Sequence, residues 1–223
     1  MAFKLSHCIG ITTPDLTALV TTYGERFGLQ SDHTPDGFAI FADPLILYLD
    51  PGPRQPPILE LVTDSIDQAR PLLRAFGCQE LAWNGLGKLN LVTDPFGINW
   101  NIYQAVPENR WPKLLAQPSV ILPKVALHLH ETAKAAQFYS DLLAENALKT
   151  LSGWIIDSNQ IRLVIEPGLP HGPALYIDLD TLPDPTSFLE LVNNKSTHTD
   201  EFGITWKLNN RPAPAKAIIN PKP

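Results

Sequence analysis

Asp94-Pro95-Phe96-Gly97-Ile98-Asn99-Trp100 recurs as Asp200-Glu201-Phe202-Gly203-Ile204-Thr205-Trp206, with Asp, Phe, Gly, Ile and Trp at the same spacing. Each copy reads as a turn followed by a strand. The Asp side chain accepts hydrogen bonds from the turn, Gly takes backbone angles that other residues avoid, and an alternating segment follows. A turn and strand shared by two segments this far apart point to internal duplication, so the chain reads as two related halves.

The rest of the pattern supports that division. In the first half, Phe3 to Thr12 reads as a strand, and Pro14-Asp15 starts a helix that runs to Phe27 and closes at Gly28. Strands are expected over Phe38–Ala42, Leu45–Leu49 and Ile58–Thr63, with a Pro-rich break between the last two. Asp64 is the expected cap of a second helix ending at Gly77; two further strands precede Asp94, and Ile98–Gln104 is the last. The pattern restarts with a strand at Val125–Leu129, a helix over Thr132–Leu143, and strands at Trp154–Ile156 and Ile161–Ile165. After a break at 167–173 come a strand at Leu175–Leu179, a short helix at Pro185–Val192 and a closing strand at Ile204–Leu208. No strand-length segment is expected just before Asp200. The predicted domains are residues 1–105 and a shorter 123–210, joined by a linker at 106–122 and followed by a Pro/Lys/Ala tail at 211–223.

With 223 residues there is room for two small domains, and 44% hydrophobic residues can fill their cores. A net charge of -6 with scattered Lys and Arg argues against nucleic acid and anionic membranes as partners. The two cysteines form neither a disulfide framework nor a zinc motif. Without a signal-peptide pattern or a bilayer-length apolar run, a cytoplasmic location is expected.

Three patterns resemble the glyoxalase/bleomycin-resistance/extradiol-dioxygenase family, the vicinal oxygen chelate (VOC) superfamily. They are Cys8-Ile9-Gly10-Ile11-Thr12-Thr13-Pro14-Asp15-Leu16, Phe138-Tyr139-Ser140-Asp141-Leu142-Leu143, and Asp94-Pro95-Phe96-Gly97 with Trp100. The resemblance implies an α+β fold of tandem βαβββ modules in two domains, each curling a sheet around a cavity. It also implies a divalent metal held by His, Gln or Glu on the opening strands and Glu on the closing strand. The corresponding positions here fall on Cys8, about Ile58 and Asn101, and in the second half on Lys124, about Ala174 and Lys207. Isoleucine and alanine cannot coordinate a metal, lysine repels one, and Asn and Cys are poor partners for a hard cation. No metal and no cofactor are therefore expected. His7 does not rescue the site, because strand alternation turns it away from Cys8.

Alternation also sorts the faces. Ile9, Ile11, Leu59, Leu61, Trp100 and Ile102 are expected on the helices, leaving Cys8, Gly10, Thr12, Tyr48, Glu60, Asn101 and Tyr103 facing the cavity. In the second half Lys124, Ala126, His128, Tyr176, Asp178 and Lys207 share a face. The candidate ligand residues are Cys8, Tyr48, Glu60, Asn101, Tyr103, Lys124, His128, Tyr176, Asp178 and Lys207; a solvated sheet face or a lysine–aspartate pair would account for the same pattern. Cys8 reads as an inert buried thiol. His33, His171 and His198 are placed in loops, and Trp83, Trp111 and Trp154 are assigned to core or interface packing. Gly85-Leu86-Gly87 is too short for a phosphate loop and reads as a hairpin or cavity-mouth loop.

Three functions fit. One is metal-independent binding of a small organic molecule. The second is a metal-dependent lyase, isomerase or dioxygenase, and the third a structural or regulatory module. The oligomeric expectation is a monomer with an intrachain pseudo-dimer, or a homodimer.

Overall fold

A computed structural model describes residues 3–42, 45–104, 123–169, 173–179, 197–200 and 204–208. The first half starts with β1 (Lys4–Thr13), α1 (Leu16–Thr21), β2 (Gln30–His33), β3 (Phe38–Ala42) and β4 (Leu45–Pro51). The order then repeats as β5 (Ile58–Thr63), α2 (Ile66–Ala75), β6 (Gln79–Trp83), β7 (Asn90–Thr93) and β8 (Asn99–Gln104). The second half has β9 (Lys124–Leu129), α3 (Thr132–Leu143), β10 (Leu148–Lys149), β11 (Trp154–Ser158) and β12 (Ile161–Pro167), then β13 (Ala174–Leu179), β14 (Thr197–Thr199) and β15 (Ile204–Leu208).

Each half is one mixed sheet. The first has eight strands in the order β2-β3-β4-β1-β5-β8-β7-β6, and the second seven in the order β10-β11-β12-β9-β13-β15-β14. The opening strands of two modules meet antiparallel at the centre of each sheet, β1 on β5 and β9 on β13. The fold is thus α+β, built of tandem βαβββ modules in two domains.

The alternation expected from sequence is present. Ile9, Ile11, Leu59, Leu61, Trp100 and Ile102 are all buried in the core, while Cys8, Gly10, Thr12, Glu60, Asn101 and Tyr103 lie on the opposite, partly accessible face. That opposite side of each sheet is its open face.

Several local expectations change. The first helix begins with Asp15 accepting from Ala18 N at 2.9 Å, but after Thr21 it widens into a π-helical stretch, Thr22–Arg26. Ser65, not Asp64, caps α2. The polar, exposed β2 and the two-residue β10 carry no hydrophobic period and were not expected. A three-residue strand, β14, does precede Asp200, so the fourth module is less truncated than the sequence suggests. His33 closes β2 with its ring 4.4 Å from that of Phe38, and His198 lies on β14; neither is in a loop. The helix expected at 185–192, the linker at 106–122 with Trp111, His171 and the tail at 211–223 lie outside the described residues.

The repeated Asp explains how the halves are joined. Asp94 Oδ1 accepts from Phe96 N at 2.9 Å and Ile98 N at 3.0 Å, and Gly97 turns the chain with φ 83°. Its other oxygen accepts from Trp100 Nε1 at 2.9 Å and from the Tyr139 hydroxyl of α3 at 2.5 Å. Asp200 does the same in reverse: it accepts from Ile204 N at 3.0 Å, Trp206 Nε1 at 2.9 Å and the Tyr23 hydroxyl of the first half at 2.6 Å. Each half's first helical segment thus supplies a tyrosine to the other half's closing turn. The rings pack as well, Tyr23 at 5.1 Å from Trp206 and Tyr139 at 5.9 Å from Trp100.

A second repeat is visible only in three dimensions. Thr34 and Gly37 close a turn into β3, and Thr150 and Gly153 close the same turn into β11. A Cβ at Gly37 would stand 2.0 Å from the Leu49 carbonyl oxygen, and one at Gly153 2.0 Å from that of Ile165. Close backbone approach, not turn geometry, requires glycine at both.

Candidate functional site

The site begins with a fault in strand pairing. Leu5 pairs with Leu61 and Ile9 with Leu59, so Ser6, His7 and Cys8 all lie opposite the single residue Glu60. Such a bulge re-aims side chains. Here it brings both Ser6 and Cys8 to Glu60 and sends His7 the other way, its Nε2 2.6 Å from the Asn159 carbonyl.

Glu60 is the hub. Its Oε1 accepts from Ser6 Oγ at 2.6 Å and its Oε2 from Asn101 Nδ2 at 2.7 Å. The Cys8 thiol is hydrogen-bonded to both Glu60 and Tyr48, and the Cys8 amide donates to Ser6 Oγ at 3.1 Å. Asn101 is steadied from behind by buried Asn90, whose backbone N donates to Asn101 Oδ1 at 3.2 Å. The Asn90 side chain also ties down the β6–β7 hairpin through Asn84 N, Gly85 N and O, and Lys88 O. Gly85-Leu86-Gly87 is therefore a hairpin loop anchored to the site, with φ 88° at Gly85 and 71° at Gly87.

Burial sets the electrostatics. It pushes the Cys8 thiol up to about 12, with Glu60 adding to the rise. It also raises Tyr48, to which Cys8, Glu60 and Tyr103 contribute. Burial lifts Glu60 above the usual carboxylate value, while hydrogen bonds from Ser6, Asn101 and Cys8 pull it back. Among the described residues Glu60 forms no ion pair. At such a pKa Cys8 is an inert thiol.

The structure thus gathers Cys8, Tyr48, Glu60, Asn101 and Tyr103 on one face. Ser6 and Asn90 were missed: only the bulge turns Ser6 to Glu60, and a bulge leaves no hydrophobic signature. Ile58, the expected second-module position, lies beside this network and not in it. Ile58 pairs with Gly10, whereas Glu60 pairs with Asn101 and meets Cys8. In the second half Ile177 pairs with Trp206 as Leu59 does with Trp100, which sets Asp178 at the position of Glu60, and Ala174 pairs with Ala126 as Ile58 does with Gly10.

In the second half Lys124 pairs with Arg162 on one side and Tyr176 on the other, and Asp178 pairs with Lys207. Lys207 and Tyr176 are exposed, and Arg162 is held by Asp157 at 2.7 Å. His128 faces Glu166 at 3.6 Å, while His130 is exposed beyond the strand end. No enclosed network like that of Glu60 forms among the described side chains. A void of about 10 Å³ under the β1 bulge, lined by Leu5, Ile9, Val125 and Ile161 among others, has room for at most one water.

This sheet architecture is the VOC fold, the fold of glyoxalases and extradiol dioxygenases. One similar structure is the Mn(II)-bound glyoxalase from Novosphingobium aromaticivorans, with TM-score 0.65, 14% identity and coverage of 92% of this chain and 81% of that one. Another is 2,2',3-trihydroxybiphenyl 1,2-dioxygenase from the dibenzofuran-degrading Sphingomonas wittichii strain RW1, with TM-score 0.61, 13% identity and coverage of 93% and 90%. Homoprotocatechuate 2,3-dioxygenase from Brevibacterium fuscum, in complex with 3,4-dihydroxyphenylacetate, gives TM-score 0.60, 12% identity and coverage of 92% and 79%. No family model and no curated protein sequence matches the chain.

A divalent metal of the kind the fold implies does not fit these residues. Both Glu60 oxygens are engaged by neutral donors, the Asn101 amide nitrogen rather than its oxygen faces Glu60, and Cys8 holds its proton. Among the described residues no three His, Cys, Asp or Glu side chains are grouped to hold a metal ion. Nor is any described helix long and apolar enough to cross a membrane.

Proposed function

We propose that this protein binds a small organic molecule on the open face of its first sheet, around Glu60, without a divalent metal. The observation that carries this reading is the Cys8–Tyr48–Glu60–Asn101 network: a half-buried carboxylate held in fixed geometry by neutral donors, on the face opposite the helices. Polar groups so arranged orient a ligand. The activities of the similar structures would require a different donor set here, and 10–16% identity conveys their fold and not their chemistry. The chain acts as a monomer whose halves pack as a pseudo-dimer, in line with the reciprocal Tyr23–Asp200 and Tyr139–Asp94 bonds. Its free cysteines suit a reducing cytoplasm.

The test is elemental analysis of the purified protein combined with native mass spectrometry. A co-purifying organic mass with substoichiometric metal is expected. Stoichiometric Mn, Fe, Ni or Zn would overturn the metal-free reading, and a native mass of two chains would overturn the monomer.

A further inference from the structure

Among the described residues no cation pairs with the Glu60 carboxylate. Its three hydrogen-bond donors, Ser6, Asn101 and Cys8, are all neutral. Buried carboxylates are ordinarily matched by a cation, because hydrogen bonds from neutral groups replace only part of the lost hydration. Of the two basic residues on this strand pair, His7 turns away to the Asn159 carbonyl, and Lys4 is exposed and pairs with Val62 at the sheet end. A second carboxylate, Asp50, follows Tyr48 on the same face of β4, and burial raises its pKa too.

Next to the Glu60 carboxylate the sheet floor carries no side chain, because the residue there is Gly10. Gly10 pairs with Tyr48 on one side and Ile58 on the other. Its φ is not positive, and an added Cβ would meet only Ile58, at 3.7 and 3.8 Å. Neither backbone nor packing requires glycine here. Its effect is to leave a gap between the side chains on β4 and β5, strands about 10 Å apart across β1. The gap is walled by a tyrosine and an isoleucine and lies beside Cys8 and Glu60.

An apolar slot ending at an uncompensated carboxylate is complementary to an organic cation. We infer that the ligand of the first open face is a small organic ammonium, its charge on Glu60 and its apolar part over Gly10 between Tyr48 and Ile58. This inference rests on the proposed binding function and narrows it to a ligand class. Tyr48 adds an aromatic wall of the kind that favours a cation.

Three probes of equal size and different charge test it: benzylamine, benzyl alcohol and benzoate, titrated at neutral pH with protein-observed NMR. Benzylamine is expected to bind at least about tenfold more tightly than the other two, as a charge-assisted contact does over a neutral one. Glu60→Gln should remove that preference, and Gly10→Leu should weaken all three probes while the protein stays folded. Equal binding of benzylamine and benzyl alcohol, with both lost in Gly10→Leu, would overturn the cation inference and leave the site standing. Tighter binding of benzoate would also overturn it. Probe binding that ignores both substitutions, or no binding of any probe, would overturn the site itself.

Discussion

Removing one hydroxyl tests how the halves are held together. In Tyr139→Phe the ring keeps its contacts with Trp100 at 5.9 Å and Phe138 at 5.0 Å, so apolar packing is unchanged. What is lost is the phenol's hydrogen bond to Asp94, leaving that oxygen only the Trp100 indole. A hydrogen bond to a charged group contributes about 1.5–3 kcal/mol, and Asp94 is buried, so solvent does not replace the lost donor. With a urea m-value near ~2 kcal/mol/M, the midpoint should fall by about 0.8–1.5 M at unchanged slope. Tyr23→Phe should do the same through Asp200. Burial raises the Asp94 pKa, so its carboxyl protonates earlier as pH falls. The bond then loses its charge assistance, and the gap between parent and Tyr139→Phe should narrow in acid. A midpoint shift below ~0.2 M in both variants would show that the hydroxyls add nothing to ring packing.

Gly37→Ala and Gly153→Ala should each cost about 3 kcal/mol or more in chemical denaturation, because the new Cβ meets a backbone carbonyl at 2.0 Å. Gly10→Ala should cost nothing measurable, and equal losses at all three positions would refute the distinction. Cys8 and Cys78, both pushed up to about 12 by burial, should resist iodoacetamide at pH 8, where roughly one thiol in ten thousand is ionised, and react fully in urea. Rapid alkylation of the folded protein would contradict that. Glu60→Gln should stabilise the protein at neutral pH relative to its behaviour in acid. The folded pKa of Glu60 lies above its unfolded value of 4.5, so the parent gains stability as pH falls between the two while the Gln variant does not. The advantage of Glu60→Gln in thermal melts should therefore shrink through that window, and a constant difference would refute it.

The order of the first hundred residues was legible because its strands alternate and its helices end at Gly28 and Gly77, both with positive φ. The short polar strands β2 and β10 were not, since they pair at sheet edges without a buried side of their own. At the site, alternation alone placed Cys8, Glu60, Asn101 and Tyr103 on one face. It failed on register: the bulge in β1 sets Ser6, His7 and Cys8 all opposite Glu60, and the β5–β8 pairing sets Asn101 beside the same carboxylate, neither of which alternation shows. Gly37 and Gly153 lacked any signal in a single pass along the chain, because the reason for each glycine is a carbonyl on the next strand.

Paired strands allow the halves to be compared position by position. Where the halves touch they agree: Tyr23 with Tyr139, Asp94 with Asp200, Trp100 with Trp206. Where they face outward they differ. Ile9 pairs with Leu47 as Val125 does with Leu163, so Cys8 corresponds to Lys124 and Gly10 to Ala126; Asn101 corresponds to Lys207. Two of the three residues that build the Glu60 network are thus replaced by cations, and the glycine floor carries a methyl group. A ligand drawn to an uncompensated carboxylate has no second seat on such a face. Benzylamine should therefore titrate to one molecule per chain, with chemical-shift changes confined to the first sheet. Two equivalent sites would show that charge on the open face does not select the ligand.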